Sequence, residues 1–250
     1  MEGHESTPLL SSGYGVLRGV GVHTLIYPLE VLKVRHQCSE KKLHETAVKV
    51  ISEEGIGAFY KGLSSQLMKT CLKQVWAWPV ITEVPKFFDR QGVGKNEQQA
   101  LTGISIAAFD TLVSTPLEKA KIRSASSGKS VTFFKALQER GWQGGGTLFS
   151  KLSVQWVTFL TAQRILREKF REGEKPLNTS QQMLVGTILA IIGSIAAAPF
   201  DMANTQKLAN GKSFFKIAPS KMFRGSGIQT TSLLIHNIAS VAVIEKLQKS

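Results

Sequence analysis

Four ionisable side chains stand inside otherwise apolar stretches of this 250-residue chain: Arg18, Lys69, Lys73 and Asp110. A charge in such a stretch is costly unless it faces water or the interior of a bundle, so each marks a candidate binding position. A second set of charges repeats. Pro28-Leu-Glu30-Val-Leu-Lys33-Val-Arg35 returns as Pro116-Leu-Glu118-Lys-Ala-Lys121-Ile-Arg123, and in altered form as Pro199-Phe-Asp201-Met-Ala-Asn204-Thr-Gln206. An acid two residues after each proline, with a cation five after it in two copies, suits reversible ion pairing rather than bond making. The five scattered histidines form no metal-ligand spacing, and no phosphate loop or nucleophile–base motif occurs. The chain is therefore not expected to be an enzyme, and no cofactor or metal is implied.

The elements that must position these charges repeat with them. The three prolines are 88 and 83 residues apart, which predicts tandem units at 1–95, 96–176 and 177–250. Thirteen residues before each proline stands Gly15, Gly103 or Gly186, followed four later by Gly19, Ala107 or Ala190. Small residues four apart share a helix face and let helix backbones approach closely. Long helices are expected at 9–37, 64–89, 98–125, 148–171, from about 183 through the third motif, and at 226–248. Shorter surface segments are expected at 41–54, 131–139 and 213–218. The proline interrupts each odd helix without ending it, as membrane helices tolerate where neighbours re-satisfy the freed carbonyl. Six segments of this length, two per unit, suffice to span a bilayer. The expected fold is an all-α membrane protein of six transmembrane helices in three two-helix repeats, with short helices on one side.

Net charge is +13 and mean hydropathy is close to zero. The charge admits nucleic acid, anionic lipid or anionic small molecules as partners. A nucleic-acid binder would not account for the threefold repeat or for the uncharged runs Met183–Ala198 and Ser226–Ile244. Cys38 and Cys71 are too few for a disulfide framework. Residues 1–8 lack the basic region of a signal peptide and the Arg-rich amphipathicity of a transit peptide, so any organellar address is expected to be internal.

The motif Pro-x-[Asp/Glu]-x-x-[Lys/Arg]-x-[Lys/Arg], three times after an odd-numbered helix, resembles the signature of the mitochondrial carrier family. Glu54-Gly55…Tyr60-Lys61-Gly62 is similar to that family's second box, and Phe223-Arg224-Gly225 to a remnant of it. The resemblance covers nearly the whole chain. It implies a pseudo-threefold bundle in the mitochondrial inner membrane, multi-pass, with another organellar membrane or the outer membrane as the alternative. The implied activity is alternating access of one central site to the two faces. On the family's cyclic order Glu30 would pair with Lys121, Glu118 with Asn204 and Asp201 with Lys33, forming a matrix gate braced by Gln37. Glu83/Lys86, Glu168/Arg171 and Glu245/Gln248 resemble the opposite, cytoplasmic gate, without the usual aromatic before the acid.

Substrate contacts in the family lie midway along the even helices. Counted from Gly62, they fall at Lys69, with Lys73 one turn on; in the other units they fall at Trp156-Val157 and Ser232. Ser153-Val-Gln155 gives a weak likeness to adenine-nucleotide carriers, and His23 occupies a place where those carriers have a cavity lysine. With Arg18, the cavity would be net positive. The resemblance thus implies transport of a small anionic metabolite against a counter-substrate, with a nucleotide such as ATP or ADP as one candidate. It also implies contact with membrane lipid, cardiolipin among the candidates, a monomeric state and no nucleic acid. Departures are Asn204 and Gln206 for the third pair of cations, Ala125 and Leu208 for the other two braces, and Gly144-Gly145-Gly146 where the second unit's aromatic-cation-glycine box would stand. A carrier fold that has lost transport and serves as a membrane docking or insertion factor is the alternative.

Overall fold

The computed structural model describes residues 8–139, 142–170 and 178–249, with side chains described from Gly19 to Ala239 apart from Gln74, Val75, Ala77 and Trp78. Among the described residues the chain is helical and contains no strand. Helix α1 spans Pro8–Cys38, α2 Leu43–Glu54, α3 Leu63–Arg90, α4 Lys95–Ser127, α5 Phe133–Gln138, α6 Gly145–Phe170, α7 Thr179–Asn210 and α8 Ser226–Lys249. The third unit's short segment is reduced to two 3-10 turns, Phe214–Lys216 and Pro219–Lys221. Pro28, Pro116 and Pro199 all lie inside their helices. Thus the odd helices do run through the motif.

The six long helices close into a ring, α1–α3–α4–α6–α7–α8 and back to α1, each packed against the next, while α1, α4 and α7 also touch one another. The small residues set the closeness of these packings. A Cβ on Gly103 would lie 2.8 Å from the Val157 backbone nitrogen of α6, and one on Gly186 would lie 2.2 Å from the Asn237 amide of α8.

The even helices start from equivalent glycines. Gly62, Gly144 and Gly225 have φ of +93°, +95° and +86°, a region open to glycine at little cost. Each sits against the post-proline part of the next unit's odd helix: Gly62 against Lys121 and Ser124, Gly144 against Lys207 and Leu208, Gly225 against Lys33 and Gln37. This corrects the reading of the second unit. Its box is Trp142-Gln143-Gly144, a glutamine replacing the cation, and the glycine run that follows opens α6.

Below the motif charges, Val31 and Val34 of α1, Ile122 and Ala125 of α4 and Leu208 of α7 form an apolar cluster with Tyr27. Ala125 and Leu208, which stand where braces were looked for, therefore pack rather than hydrogen-bond. The short helices are tied to the motif's last cation. Arg35 pairs with Glu54 at 2.8 Å, and Arg123, the same residue of the next unit, pairs with Glu139. In the third unit Gln206 instead donates to the Gln37 carbonyl at 2.6 Å.

Polarity runs inside out. Leu25, Phe109, Leu112, Ile191, Ile195 and Ile238 are exposed on the long helices, while lysines and carboxylates lie within. Two of the helices, Lys95–Ser127 and Thr179–Asn210, are long and apolar enough to cross a membrane by length and composition.

Candidate functional site

The ring encloses a cavity of about 600 Å³ whose walls include five lysines (33, 69, 73, 121 and 151) and four carboxylates (Glu30, Asp110, Glu118 and Asp201). Its floor is made by the motif residues, because the post-proline segments of α1, α4 and α7 converge there. Lys121 lies 2.6 Å from Glu30, and Lys33 lies 2.9 Å from Asp201. Gln37 donates to Asp201 at 2.9 Å and to the Arg224 carbonyl at 3.1 Å. Lys33 also donates to Gln229 Oε1 at 2.6 Å. These bonds tie α1 to α4, and α1 to α7.

The third expected pair is absent. Asn204 does not reach Glu118; its Oδ1 accepts from Thr147 of α6 at 3.3 Å, since its side chain is two bonds shorter than the lysines at the equivalent places, Lys33 and Lys121. Glu118 is nonetheless satisfied by two other cations. Lys69 of α3 lies 2.8 Å from its Oε2, and Lys151 of α6 lies 3.6 Å from its Oε1. Lys151 also contacts Asp201 Oδ1 at 2.8 Å, so α4 and α7 are joined through α6.

The sequence hides Lys151 because the box of the second unit lacks its cation. Gly144 now fixes the register: Lys69 is seven residues after Gly62, Lys151 seven after Gly144, and Ser232 seven after Gly225. Lys151, rather than Trp156 or Val157, is therefore the α6 residue equivalent to Lys69 and Ser232. Val157 packs in the α4–α6 interface over Gly103. Trp156 does line the cavity, but Lys73 sits over its ring at 4.8 Å and Phe159 meets it edge-on. The signal that would have exposed Lys151 is the Trp-x-Gly spacing that matches Tyr60-Lys61-Gly62.

Higher on the wall, Lys73 lies 2.8 Å from Asp110, whose other oxygen accepts from Ser114 at 2.6 Å. Asp110 is fully buried, while the Lys73 side chain keeps 31% of its exposure. Ser232 is buried and faces the cavity. His23 faces it too, with Gln66 Nε2 at 3.4 Å, the His236 ring at 5.5 Å and Glu30 at 3.9 Å. The Arg18 side chain lies outside the described side chains.

The far ends of the even helices look different. Glu83 and Lys86 pair with each other on α3 at 2.8 Å, both exposed. Glu168 pairs with Arg164, one turn back on α6, at 3.5 Å. Arg171 lies outside the described residues, as do the side chains of Glu245 and Gln248. These ion pairs stay within single helices at i,i+3 and i,i+4 spacing, and the bonds that cross between helices here are hydrogen bonds, such as Arg164 to Asn96 of α4 and Gln98 of α4 to the Pro85 carbonyl of α3. The bundle is therefore pinned by buried interhelical ion pairs at one end, and by none of these pairs at the other.

A lysine-rich chamber with one ion-paired floor can take up a small anion: the lysines supply charge, and each lysine can exchange a wall carboxylate for a ligand's. The chain is also similar to known proteins. The family model described as mitochondrial carrier protein matches residues 4–92. The chain is 25% identical over 231 residues to the mitochondrial succinate-fumarate transporter 1 of Arabidopsis thaliana, covering 82% of this chain and 75% of that one. It is 26% identical over 218 residues to the mitochondrial dicarboxylate/tricarboxylate transporter of the same plant, 77% and 71% of the two chains. A third likeness is local: 39% identity over 67 residues, 26% of this chain and 14% of the other, to the calcium-dependent mitochondrial ATP-magnesium/phosphate carrier protein 2 of Arabidopsis thaliana.

Proposed function

We propose, taking the chain as a divergent relative of the mitochondrial carriers, that it moves a small carboxylate anion across the mitochondrial inner membrane by alternating access. The six long helices would be the spans, in repeats 1–95, 96–176 and 177–250, and the exposed apolar residues of α1, α4, α7 and α8 would meet lipid. One observation carries the reading. The chamber is closed at the post-proline end by interhelical ion pairs that share its lysines, and the described charge pairs at the other end stay within single helices. An anion entering from the open end meets Lys73 first, then Lys69 and Lys151 near the floor. Because each lysine already holds a carboxylate, binding is an exchange of partners, which lets ligand and floor compete for the same charges.

The geometry of Glu118 supports a carboxylate as the substrate class. Two ammonium groups hold the two oxygens of one buried carboxylate. A pair of lysines so arranged suits a ligand carboxylate, and the succinate-fumarate and dicarboxylate/tricarboxylate transporters to which the chain is similar are named for such ligands. The local likeness to an ATP-magnesium/phosphate carrier favours a nucleotide as the second reading. That reading would use Trp156 as a stacking face, and Lys73 now covers the ring. Exchange against a counter-substrate, monomeric state and contact with cardiolipin belong to the same proposal.

The test is uptake by the purified protein in liposomes, with labelled succinate, malate, citrate, phosphate, ADP and ATP offered in turn. Saturable uptake of a di- or tricarboxylate supports the proposal. Selective uptake of ATP or ADP moves it to the second reading. No uptake of any of them, in liposomes where a known carrier works, refutes both and leaves a carrier-fold docking factor.

A further inference from the structure

Lys33 and Lys121, five residues after their prolines, each bind an acid of another odd helix at the floor of the chamber. Asn204 holds the corresponding place on α7 and binds Thr147 instead. Asn204 thus leaves Glu118 without an odd-helix cation of its own. The buried acid is supplied from the even helices. Among the described residues both ion-pair partners of Glu118 are Lys69 and Lys151, at 2.8 and 3.6 Å. Lys151 reaches further, to Asp201 at 2.8 Å, and so bridges the two odd helices that an intact third motif would have joined directly.

From this we infer that Lys151 has taken over the place of the missing third floor cation while remaining a ligand of the transported anion. The inference rests on the carrier reading above. Its consequence is a direct mechanical link. Where the floor cations stand on the odd helices, an anion bound by the even helices acts on them only at a remove. Here the anion that draws Lys151 away loosens its contacts to both Glu118 and Asp201 at once. If Lys69 turns with it, Glu118 loses both of its cations, whereas Asp201 keeps Lys33 and Gln37. The α4–α7 seam is then the weakest of the three and opens first. With no anion bound, the same lysine holds that seam shut.

The inference separates two jobs of one side chain, and the test separates them too. A cysteine at Val34, buried in the chamber wall beside the floor residues, replaces the native cysteines (Cys38 and Cys71 as serine) and reports opening through its labelling by a membrane-impermeant maleimide applied from the post-proline side. In this background Lys151→Gln should raise the labelling rate roughly tenfold, and adding Asn204→Lys should return it to the parent rate by restoring a cation to α7. Uptake of the panel anion that the parent transports should stay impaired in the Lys151→Gln/Asn204→Lys protein, with KM raised about tenfold, because the ligand has not been restored. Labelling unchanged by Lys151→Gln, or raised and not returned by Asn204→Lys, overturns the floor role whatever transport does. A parental KM in the double variant overturns the ligand role. If labelling behaves as expected and the parent takes up no anion of the panel, the carrier reading and the ligand role fall together while the floor role stands. A single cooperative thermal unfolding transition for every variant identifies folded protein.

Discussion

Lys73 and Asp110 form a pair of unequal partners, and that inequality yields a sharp prediction. Asp110 is fully buried and has two donors, Lys73 at 2.8 Å and Ser114 at 2.6 Å. Lys73 keeps part of its surface in the chamber and has the Trp156 face as a second neighbour. Removing the lysine leaves a buried carboxylate with one hydroxyl, a change that costs about 3–5 kcal/mol for a buried pair. Ser114 and the nearby chamber favour the lower end, about 3 kcal/mol. At about 2–4 °C per kcal/mol for a chain of this size, Lys73→Ala should lower Tm by about 6–12 °C. Asp110→Asn should be mild, under about 1 kcal/mol, because the freed ammonium can stay in water over Trp156. The double variant Lys73→Ala/Asp110→Asn should recover most of the loss, since no buried charge remains. Thermal unfolding of the purified protein in one detergent, followed by a thiol-reactive dye, measures all four proteins. Equal losses for the two single variants would refute the reasoning, as would a double variant no better than Lys73→Ala.

Two further predictions concern the frame. Gly62→Ala places a side chain at φ +93° and within 3.0 Å of the Lys121 carbonyl, so it should destabilise by about 1–2 kcal/mol or more, seen as a fall in Tm. Glu54 accepts from Arg35 at 2.9 Å and from Lys61 at 3.1 Å. Burial pushes its pKa up, but the hydrogen bonds and charges of Arg35 and Lys61 outweigh this and hold it below the usual carboxylate value. A lowered folded-state pKa stabilises above the unfolded-state value and is lost as pH falls through the folded one. The Tm advantage of the parent over Glu54→Gln should therefore be full above pH about 5 and close as the pH drops below about 4.

Much of this arrangement was legible because it is written in local chemistry. The three prolines with their acids located the floor, and Gly103 and Gly186, thirteen residues upstream of theirs, located two close helix packings, while the surroundings of Gly15 lie outside the described side chains. Helix limits followed from the apolar runs to within a few residues, from Leu63 and Arg90 of α3 to Ser226 of α8. What escaped depends on register and on side-chain reach. Gln143 replaces the cation of the second box, so its glycine was misplaced and Lys151, seven residues on, went unnoticed. The partner of Glu118 could not be named from spacing, because it comes from α3 and α6 rather than from the motif. Val157 was displaced by that same error. Glu168 pairs with Arg164, four residues back, while Arg171 lies outside the described residues.

On the proposed function an anion crosses through the lysine-lined chamber. The most direct measurement is uptake of labelled succinate into proteoliposomes preloaded with unlabelled succinate, comparing the parent with Lys69→Ala/Lys73→Met/Asp110→Asn. The last two changes remove the buried pair together and keep the wall packed. Saturable uptake by the parent is expected, with loss of at least nine-tenths of it in the variant and both proteins folded by thermal unfolding. Undiminished uptake by the variant would show that the anion does not pass these lysines.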